Sequence, residues 1–487
     1  MVNKQTVSEY GVVTAVRQPI VLISGLPTVR PGEILKFDNQ TLGQVFSFTQ
    51  YQAEVVAFSN EVIKVGSQVE RVGQSVSIAV PKNMMGIIID PLGRVVYGET
   101  NQEGTVQVPL DQAPPPLITR RRITHRLKTG MSVVDLMLPL AKGQRELIAG
   151  DKKTGKTSFA HKFIRAQTME GSIIIYAAIA KKKDEIKRLY QFCQKYQTLN
   201  NVAIVASYSS DSPGLISLTP MTAMSVAEYY RDQGKDVVII LDDLSTHAQS
   251  YREISLLAKR FPGRDSYPGD IFYLHARLLE RSGTFIHPLD PEKTVSITCL
   301  PLAETTDGDL TNYIISNLIS ITDGHLFFDT SLYQQGRRPA VHHSLSVTRV
   351  GKQTQSPLER NITKELSSFF ASYDKTINMT HFSAELTDNS RRTLRIGAQL
   401  EIFFTETSDL IVPKTVQQLF VALVWHGWLA NVQSRTLQLY RDKLVMKYYQ
   451  DEKLRQQLDK LTEVETFVQL LEVAKSQQQW LLSLCQT

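Results

Sequence analysis

The chain has 487 residues, of which 42% are hydrophobic and 21% charged, a balance typical of globular proteins and a length that suits roughly three domains with separate cores. Its 54 basic and 48 acidic residues leave a net charge of only +6. Direct nucleic-acid binding is not expected, because it needs a clustered basic face interleaved with aromatics, and the densest run (Arg120-Arg121-Arg122, then Arg126 and Lys128) lacks them. That run reads as a solvated or phosphate-proximal connecting loop. Cys193, Cys299 and Cys485 are far apart and lack metal-ligand spacing, so a reducing compartment without a disulfide framework is expected. No run of about 18 apolar residues is present, which excludes a helical membrane span. The polar segment 1–10 carries neither the apolar centre of a secretory signal nor the Arg and Ser bias of a transit peptide.

Short alternating segments at 11–15, 20–23, 33–37, 43–48, 52–57 and 75–79 are separated by Gly and Pro, which predicts a small β-barrel or sandwich. Ala113-Pro114-Pro115-Pro116 reads as a loop, since proline neither donates a backbone hydrogen bond nor tolerates a helix interior. From about residue 130, apolar β-branched runs at 145–149, 172–179, 202–207, 236–241 and 294–300 alternate with helical stretches at 156–166, 222–233, 247–260 and 270–281. Runs buried on both faces mark a largely parallel sheet flanked by helices. After about residue 356 helical periodicity takes over, at 416–430, 432–449 and 463–484. The expected fold is therefore an N-terminal β-barrel (1–84), a central α/β P-loop domain of RecA-like type (85–355) and a C-terminal all-α bundle (356–487). His342-His343, and His426 near Trp428, lack companions at ligand spacing and read as structural. Trp425 and Leu429 read as helix-core positions.

The strongest chemical signal is Gly150-Asp151-Lys152-Lys153-Thr154-Gly155-Lys156-Thr157, followed by Ser158. It is a full P-loop pattern between an expected strand and an expected helix, the context that gives the motif its meaning. The loop lets backbone N–H groups converge on phosphates, and the helix N-terminus favours anions. Lys156 is expected to reach the β and γ phosphates and the Thr157 hydroxyl to ligate Mg²⁺, with ATP or ADP as the nucleotide. Lys152 and Lys153 add positive charge to the loop. A second expected strand ends in Asp242-Asp243. Asp242 is the candidate to hold Mg²⁺ through water, and capping of the following turn is a compatible role.

Several motifs resemble the F-type α/β ATPase family: Gly143-Gln144-Arg145-Glu146-Leu147, Tyr267-Pro268-Gly269-Asp270 with Tyr273-Leu274-His275, and Ser320-Ile321-Thr322-Asp323-Gly324. The α branch is marked by Leu241-Asp242-Asp243-Leu244-Ser245, Pro262-Gly263-Arg264 and Ser346-Val347-Thr348-Arg349-Val350-Gly351. The similarity is clear to about residue 355 and looser beyond. It implies a ring of alternating α chains and catalytic β chains around a central γ shaft, with a peripheral stalk or a substitute for it. It further implies a peripheral position on the cytoplasmic face of a bacterial inner membrane, or an organelle-encoded equivalent. Arg349 falls on the arginine finger that α supplies to the β site, Ser320 and Ser346 fall near the same interface, and Arg338 and Pro339 border the adenine.

Three departures stand out. Catalytic members carry a water-orienting glutamate after the strand that follows the P-loop helix, and α chains usually carry glutamine. This chain has Lys181, which cannot accept a proton from water while charged. Its side chain is expected to point to solvent rather than hold ATP. Asp184 and Glu185 fall in the first turn of the next helix, where acids are favoured anyway. Thr405-Glu406-Thr407 stands where glutamines often sit near the adenine. The sequence also starts almost at the barrel, so the usual stalk-binding extension is not expected and a different attachment, or a divergent branch of rotary ATPases, is. The expected function is a non-catalytic Mg-ATP-binding subunit that completes a partner's active site. The alternative is a self-sufficient homohexameric motor, an export ATPase or a Rho-like RNA translocase, which needs its own acid where Lys181 stands. A scaffold that has lost nucleotide binding is opposed by Lys156, Thr157 and Asp242.

Overall fold

The computed structural model describes residues 9–75, 77–99, 104–380 and 387–486. Segment 1–8 therefore lies outside the described residues, as does residue 76 within the expected strand 75–79. The chain forms two compact units. One comprises Met1–Arg122, Thr168–Thr305 and Asp309–Thr322, and the other Ile123–Gln167, Thr306–Gly308 and Asp323–Thr487.

The first unit begins with six antiparallel strands: β1 (Tyr10–Arg17), β2 (Ile20–Ser24), β3 (Glu33–Phe37), β4 (Leu42–Phe48), β5 (Ala53–Ala57) and β6 (Gln68–Ser75). They close into a barrel in the order β1-β2-β5-β4-β3-β6, with β6 pairing back onto β1. Alternation turns Val13, Val21, Ile23, Leu35, Phe37, Val45, Val55 and Val69 into its core. Sequence patterning marks no strand at 68–75, where polar residues dominate, yet this is the strand that closes the barrel. The expected strand 75–79 is in fact two elements, β6 ending at Ser75 and a separate strand Ser77–Pro81.

The same unit carries a sheet in the order Asp290–Glu304, Val237–Asp242, Ile173–Lys181, Val202–Tyr208 and Ile88–Ile89, all parallel. Val95–Tyr97 and Gly283–His287 add antiparallel edges. Residues Ile173 to Ile179 are all buried, as expected for a strand covered on both faces. The helix Pro213–Asp232 begins well before the expected start at 222. Ser212 caps it by accepting the Leu215 N–H at 3.2 Å, and Pro213 at its start is compatible with a first helical turn. Gly214 passes so close to the barrel that a Cβ there would lie 2.5 Å from the Ala57 carbonyl oxygen, and Ile20, Val56 and Ile254 bury a small joint between barrel and sheet layer.

Two buried polar groups lock this layer. Arg281 is fully buried, and its guanidinium clasps Glu228 through Nε–Oε1 (3.0 Å) and Nη2–Oε2 (2.5 Å) while donating to Ser225 Oγ and the Leu110 carbonyl. His247 Nδ1 and His275 Nε2 lie 3.0 Å apart, and His247 Nε2 reaches the Ser217 carbonyl at 3.2 Å. Burial holds His247 down to about 4 and His275 well below the usual histidine range, so both rings are neutral at pH 7.

The second unit carries a three-stranded sheet. Glu146–Gly150 pairs in parallel with Gly324–Phe328, which pairs antiparallel with Val347–Thr348. The P-loop helix Lys156–Met169 follows the first of these strands, and Phe159 packs edge-on to Phe328 with ring centroids 5.4 Å apart. Beyond residue 356 the described residues form helices Pro357–Thr380, Asp388–Phe403, Lys414–Trp425, Ser434–Gln450, Glu452–Leu461, Phe467–Ser476 and Gln478–Gln486. Leu358, Ile362, Leu366 and Phe370 recur every fourth residue and are all buried. The periodic stretch 463–484 is two helices, the first opened by Thr466, which accepts the Gln469 N–H at 3.3 Å. His426 Nε2 donates to the Leu471 carbonyl at 2.8 Å and its ring stacks on Trp428, and Trp425 packs on Phe369 and Phe467. No helix among the described residues is long and apolar enough to cross a membrane.

Two outcomes follow from these buried groups. Arg281→Ala leaves the Glu228 carboxylate buried without its partner and is expected to cost roughly 3–5 kcal/mol in denaturant unfolding, against far less for a surface arginine such as Arg94. Unfolding charges His247, so its stabilising contribution is complete above pH 6.5 and is lost as pH falls towards 4. Between those values stability should rise with pH by up to about 1.4 kcal/mol per unit for each such proton, and His247→Gln should reduce the slope.

Candidate functional site

The P-loop belongs to the second unit. Its geometry needs particular residues. Gly155 has φ of +97° and faces the Tyr333 ring, while a Cβ on Gly150 would lie 2.6 Å from the Phe328 carbonyl oxygen. Asp151 anchors the loop, accepting the Gly308 N–H at 2.9 Å and the Thr330 hydroxyl at 2.8 Å. Thr154 Oγ1 donates to the Asp151 carbonyl at 2.7 Å. Lys156 is buried and folds over its own loop, with Nζ 2.6 Å from the Gly150 carbonyl and 2.7 Å from that of Asp151. Lys152, Lys153, Thr157 and Ser158 are exposed, and Lys153 takes a left-handed φ of 64°. The loop thus offers cations, hydroxyls and a helix N-terminus on one surface.

A cavity of about 410 Å³ opens beside it, lined by Thr154, Gly155, Ser158, Tyr333, Arg338, Pro339 and Glu406 among others. The Arg338 guanidinium lies over the Tyr333 ring, 3.4 Å from its centroid, and donates to the Tyr333 carbonyl at 2.8 Å. Glu406 is buried, yet fully engaged. One oxygen accepts the Ser132 N–H at 2.8 Å and hydroxyl at 2.7 Å, and the other meets Lys162 Nζ at 2.5 Å. Its own N–H donates to the Arg338 carbonyl at 2.6 Å. The structure therefore brings Arg338 and Pro339 to the P-loop. It adds Tyr333 and Lys162 to the wall, and it holds Glu406, expected near the adenine, through Lys162, 244 residues away in sequence.

The strand-end acids belong to the first unit. Lys181 does not point to solvent. Its Nζ lies 2.7 Å from Asp242 Oδ1 and 3.1 Å from Asp243 Oδ2, and its side chain is 20% exposed. Burial opposes the charged amine, but the two carboxylates outweigh it and raise its pKa above the ordinary lysine range. Tyr176 donates its hydroxyl to Asp242 Oδ2 at 2.5 Å. Asp243, rather than Asp242, caps the following helix Leu244–Leu257, accepting the Thr246 N–H at 2.7 Å. Strand pairing is irregular between Ala178 and Lys181, and Ala180 has a left-handed φ of 50°, a local distortion of the kind that re-aims a side chain. Asp184 and Glu185 do lie in the first turn of the next helix, Lys183–Lys195.

Magnesium takes oxygen donors and keeps several waters. The exposed Thr157 hydroxyl fits that requirement. The Asp242 carboxylate accepts from Lys181 on one oxygen and from the Tyr176 hydroxyl on the other, which leaves each oxygen a further lone pair for a metal-bound water.

Arg349 follows the strand Val347–Thr348; its side chain is exposed, and its N–H donates to the Asp323 carbonyl at 3.2 Å. Beneath it, Gln144 Nε2 bridges Glu146 Oε2 (2.6 Å) and Thr348 Oγ1 (3.2 Å), and Thr348 donates to the Pro139 carbonyl at 3.0 Å. Asp323 grips Arg145 through two bonds, Nη2–Oδ1 at 2.7 Å and Nε–Oδ2 at 3.2 Å. Burial pushes the Glu146 carboxyl well above the usual range, and the nearby Arg349 cation opposes this only in part. Ser346 is buried as a turn staple, accepting the Phe327 N–H at 2.9 Å and donating to the His342 carbonyl at 2.7 Å. Ser320 is exposed and donates to the Asn317 carbonyl of its own helix at 2.7 Å.

Residues 130–348 match the ATP synthase alpha/beta family, nucleotide-binding domain. The chain is 37% identical over 393 residues to ATP synthase subunit alpha 1 of Pseudoalteromonas atlantica, covering 80% of this chain and 74% of that one. It is 35% identical over 426 residues to ATP synthase subunit alpha of Dictyoglomus thermophilum, covering 87% and 83%. A third relative, ATP synthase subunit alpha 2 of Gluconobacter oxydans, is 39% identical over 381 residues, covering 78% and 74%. The chain belongs to the family of F-type ATP synthase α subunits.

Within this family fold, the segment bearing Arg349 is tightly constrained. A Cβ on Gly351 would lie 1.6 Å from the Pro139 carbonyl oxygen, so only glycine fits that close approach. Gly351→Ala is expected to destabilise the protein by about 1–3 kcal/mol, read as a lowered midpoint in denaturant unfolding. Gly336→Ala is its control for the loss of a glycine, since nothing lies within 4 Å of a Cβ there, although φ of +89° makes some strain unavoidable.

Proposed function

We propose that this chain binds ATP or ADP without hydrolysing it and supplies Arg349 to the catalytic site of a neighbouring β chain. In this reading α and β chains alternate around a γ shaft, and the ring couples ATP synthesis or hydrolysis to ion transport across a membrane. A peripheral stalk or its substitute holds the ring at the cytoplasmic face. The observation that carries the reading is Lys181. A hydrolytic site needs a base beside the attacking water, and the residue at the family's glutamate position is a half-buried ammonium clasped by two carboxylates. The same observation weighs against a homohexameric motor, in which each chain must provide its own acid.

Gly150, Asp151, Lys152, Lys153, Thr154, Gly155, Lys156, Thr157 and Ser158 form the proposed phosphate cradle, and Arg338 and Pro339 border the proposed base cavity. Thr157 is the magnesium donor this chain offers. When bound, the ion shields phosphate charge, while Lys156 and the loop amides orient the phosphates. Arg349 is exposed at the end of a short strand whose underside is tied down by Thr348, Gln144 and Glu146, an arrangement suited to presenting a guanidinium to another chain. Ser346 supports that segment from behind. Ser320, facing outward, is proposed to lie near the same boundary. The division into domains 1–84, 85–355 and 356–487 is retained as a proposal for how these roles are partitioned.

Arg349→Ala should lower turnover of the assembled complex by roughly 10³-fold or more, while nucleotide binding to this chain, followed by fluorescence titration, stays intact. Preserved turnover with lost binding would contradict the assignment. Lys156→Ala should do the converse on this chain, removing nucleotide binding without unfolding it.

A further inference from the structure

We propose that the Lys162–Glu406 ion pair reads the nucleotide base on this chain, and that it admits adenine and guanine alike. The proposal rests on the nucleotide-binding reading above and names the class of nucleotide that the site takes. Every residue it uses belongs to the second unit.

The pair lines the cavity of about 410 Å³ that also touches Thr154, Gly155 and Ser158 of the P-loop. That volume lies in the range of about 300–1,000 Å³ usual for small-molecule sites, and it adjoins the surface where the phosphates are proposed to lie. Two ties from the P-loop helix hold one wall of it: Lys162 to Glu406 at 2.5 Å, and Arg165 to the Asp409 carbonyl. Glu406 Oε1 is saturated, because it accepts both the N–H and the hydroxyl of Ser132. Among the described residues Oε2 accepts only from Lys162, which leaves it a lone pair. Lys162 has three N–H donors, of which Glu406 takes one, and its side chain keeps 13% of its surface exposed. A donor and an acceptor therefore stand side by side on the cavity wall.

That arrangement decides what the wall can recognise. Adenine carries a 6-amino donor beside the acceptor N1, and guanine a 6-oxo acceptor beside the donor N1–H. A rigid reader with a single donor and a single acceptor at fixed points fits one purine and opposes like groups to the other, leaving buried polar atoms unpaired. Lys162 turns its remaining N–H groups about a single bond, next to the spare lone pair of Glu406. The 6-amino group of adenine suits Glu406 and its N1 suits Lys162, whereas the 6-oxo group of guanine suits Lys162 and its N1–H suits Glu406. The rest of the wall adds no preference. The Arg338 guanidinium packed on the Tyr333 ring is a planar surface, and stacking on such surfaces is tolerant of base identity.

The test is displacement of trinitrophenyl-ATP from the full-length chain by ATP, GTP and inorganic tripolyphosphate, the last a probe of the phosphate cradle alone. The dissociation constants of ATP and GTP are expected to differ by less than about tenfold. Lys162→Ala should weaken both nucleotides by about fivefold or more and leave tripolyphosphate unchanged, a split that a merely structural loss would not produce. A difference of about tenfold or more between ATP and GTP on the wild type overturns the shared reading of the two purines. A Lys162→Ala effect as large on tripolyphosphate, or absent for the nucleotides, overturns base reading by this pair. The wild-type comparison needs no substitution, so it decides even where Lys162→Ala fails to fold. Absence of nucleotide binding, with the chain folded, overturns the nucleotide-binding reading itself.

Discussion

A carboxylate buried in a protein interior must find a cation, a set of donors or a proton, and the architecture of this chain is organised around that constraint. Glu228 is paired with Arg281 inside the first unit. Asp242 and Asp243 share Lys181. In the second unit Glu406 is satisfied by Ser132 and Lys162, Asp323 by Arg145, and Glu359 by Arg126 and Lys414. Glu146 takes the other route, with burial favouring its protonated form. These pairs join elements far apart in sequence, so they specify which strand end meets which helix. The apolar strands provide burial but little directional information.

The same constraint underlies the proposal that this chain holds nucleotide without cleaving it. The P-loop surface presents Lys156, Thr157 and a helix N-terminus, which is enough for affinity. Hydrolysis requires in addition an oriented water and a base with an available lone pair. At position 181 that lone pair is tied up in an ammonium stabilised by two acids. Arg349 is the reverse case: its side chain is exposed, and its backbone is secured from below by Thr348 and Gln144. Support of that kind suits the role proposed for Arg349 on a neighbouring chain.

Much of this was legible from the residues in order. The P-loop stood out because its spacing is dictated by local backbone geometry, and the parallel strands because they are apolar on both faces. β6 did not stand out, since an edge-closing strand with Glu70 and Arg71 in it lacks the apolar alternation of its neighbours. The helix beginning at Pro213 has an ordinary start signal in Ser212 and Pro213, but Pro220 inside it masks that start in the sequence. The break near Gln477 between the last two helices left no breaker residue in the sequence. The placement of Lys181 is illegible for a different reason. Its partner Asp243 is 62 residues away, and a lysine at the edge of a lysine run reads as solvated until the fold closes it against two acids. Glu406 is legible as a residue near the adenine, but its partner Lys162, 244 residues away, is not.

The most direct measurement is to load the assembled complex with photoreactive, doubly radiolabelled ATP, let it turn over, crosslink, and identify the nucleotide attached to this chain. Intact triphosphate persisting on this chain through many turnovers of the complex is the predicted result. Conversion to diphosphate on this chain at the rate of the complex would contradict a non-catalytic role, and would mean that Lys181 is displaced and a base recruited during turnover.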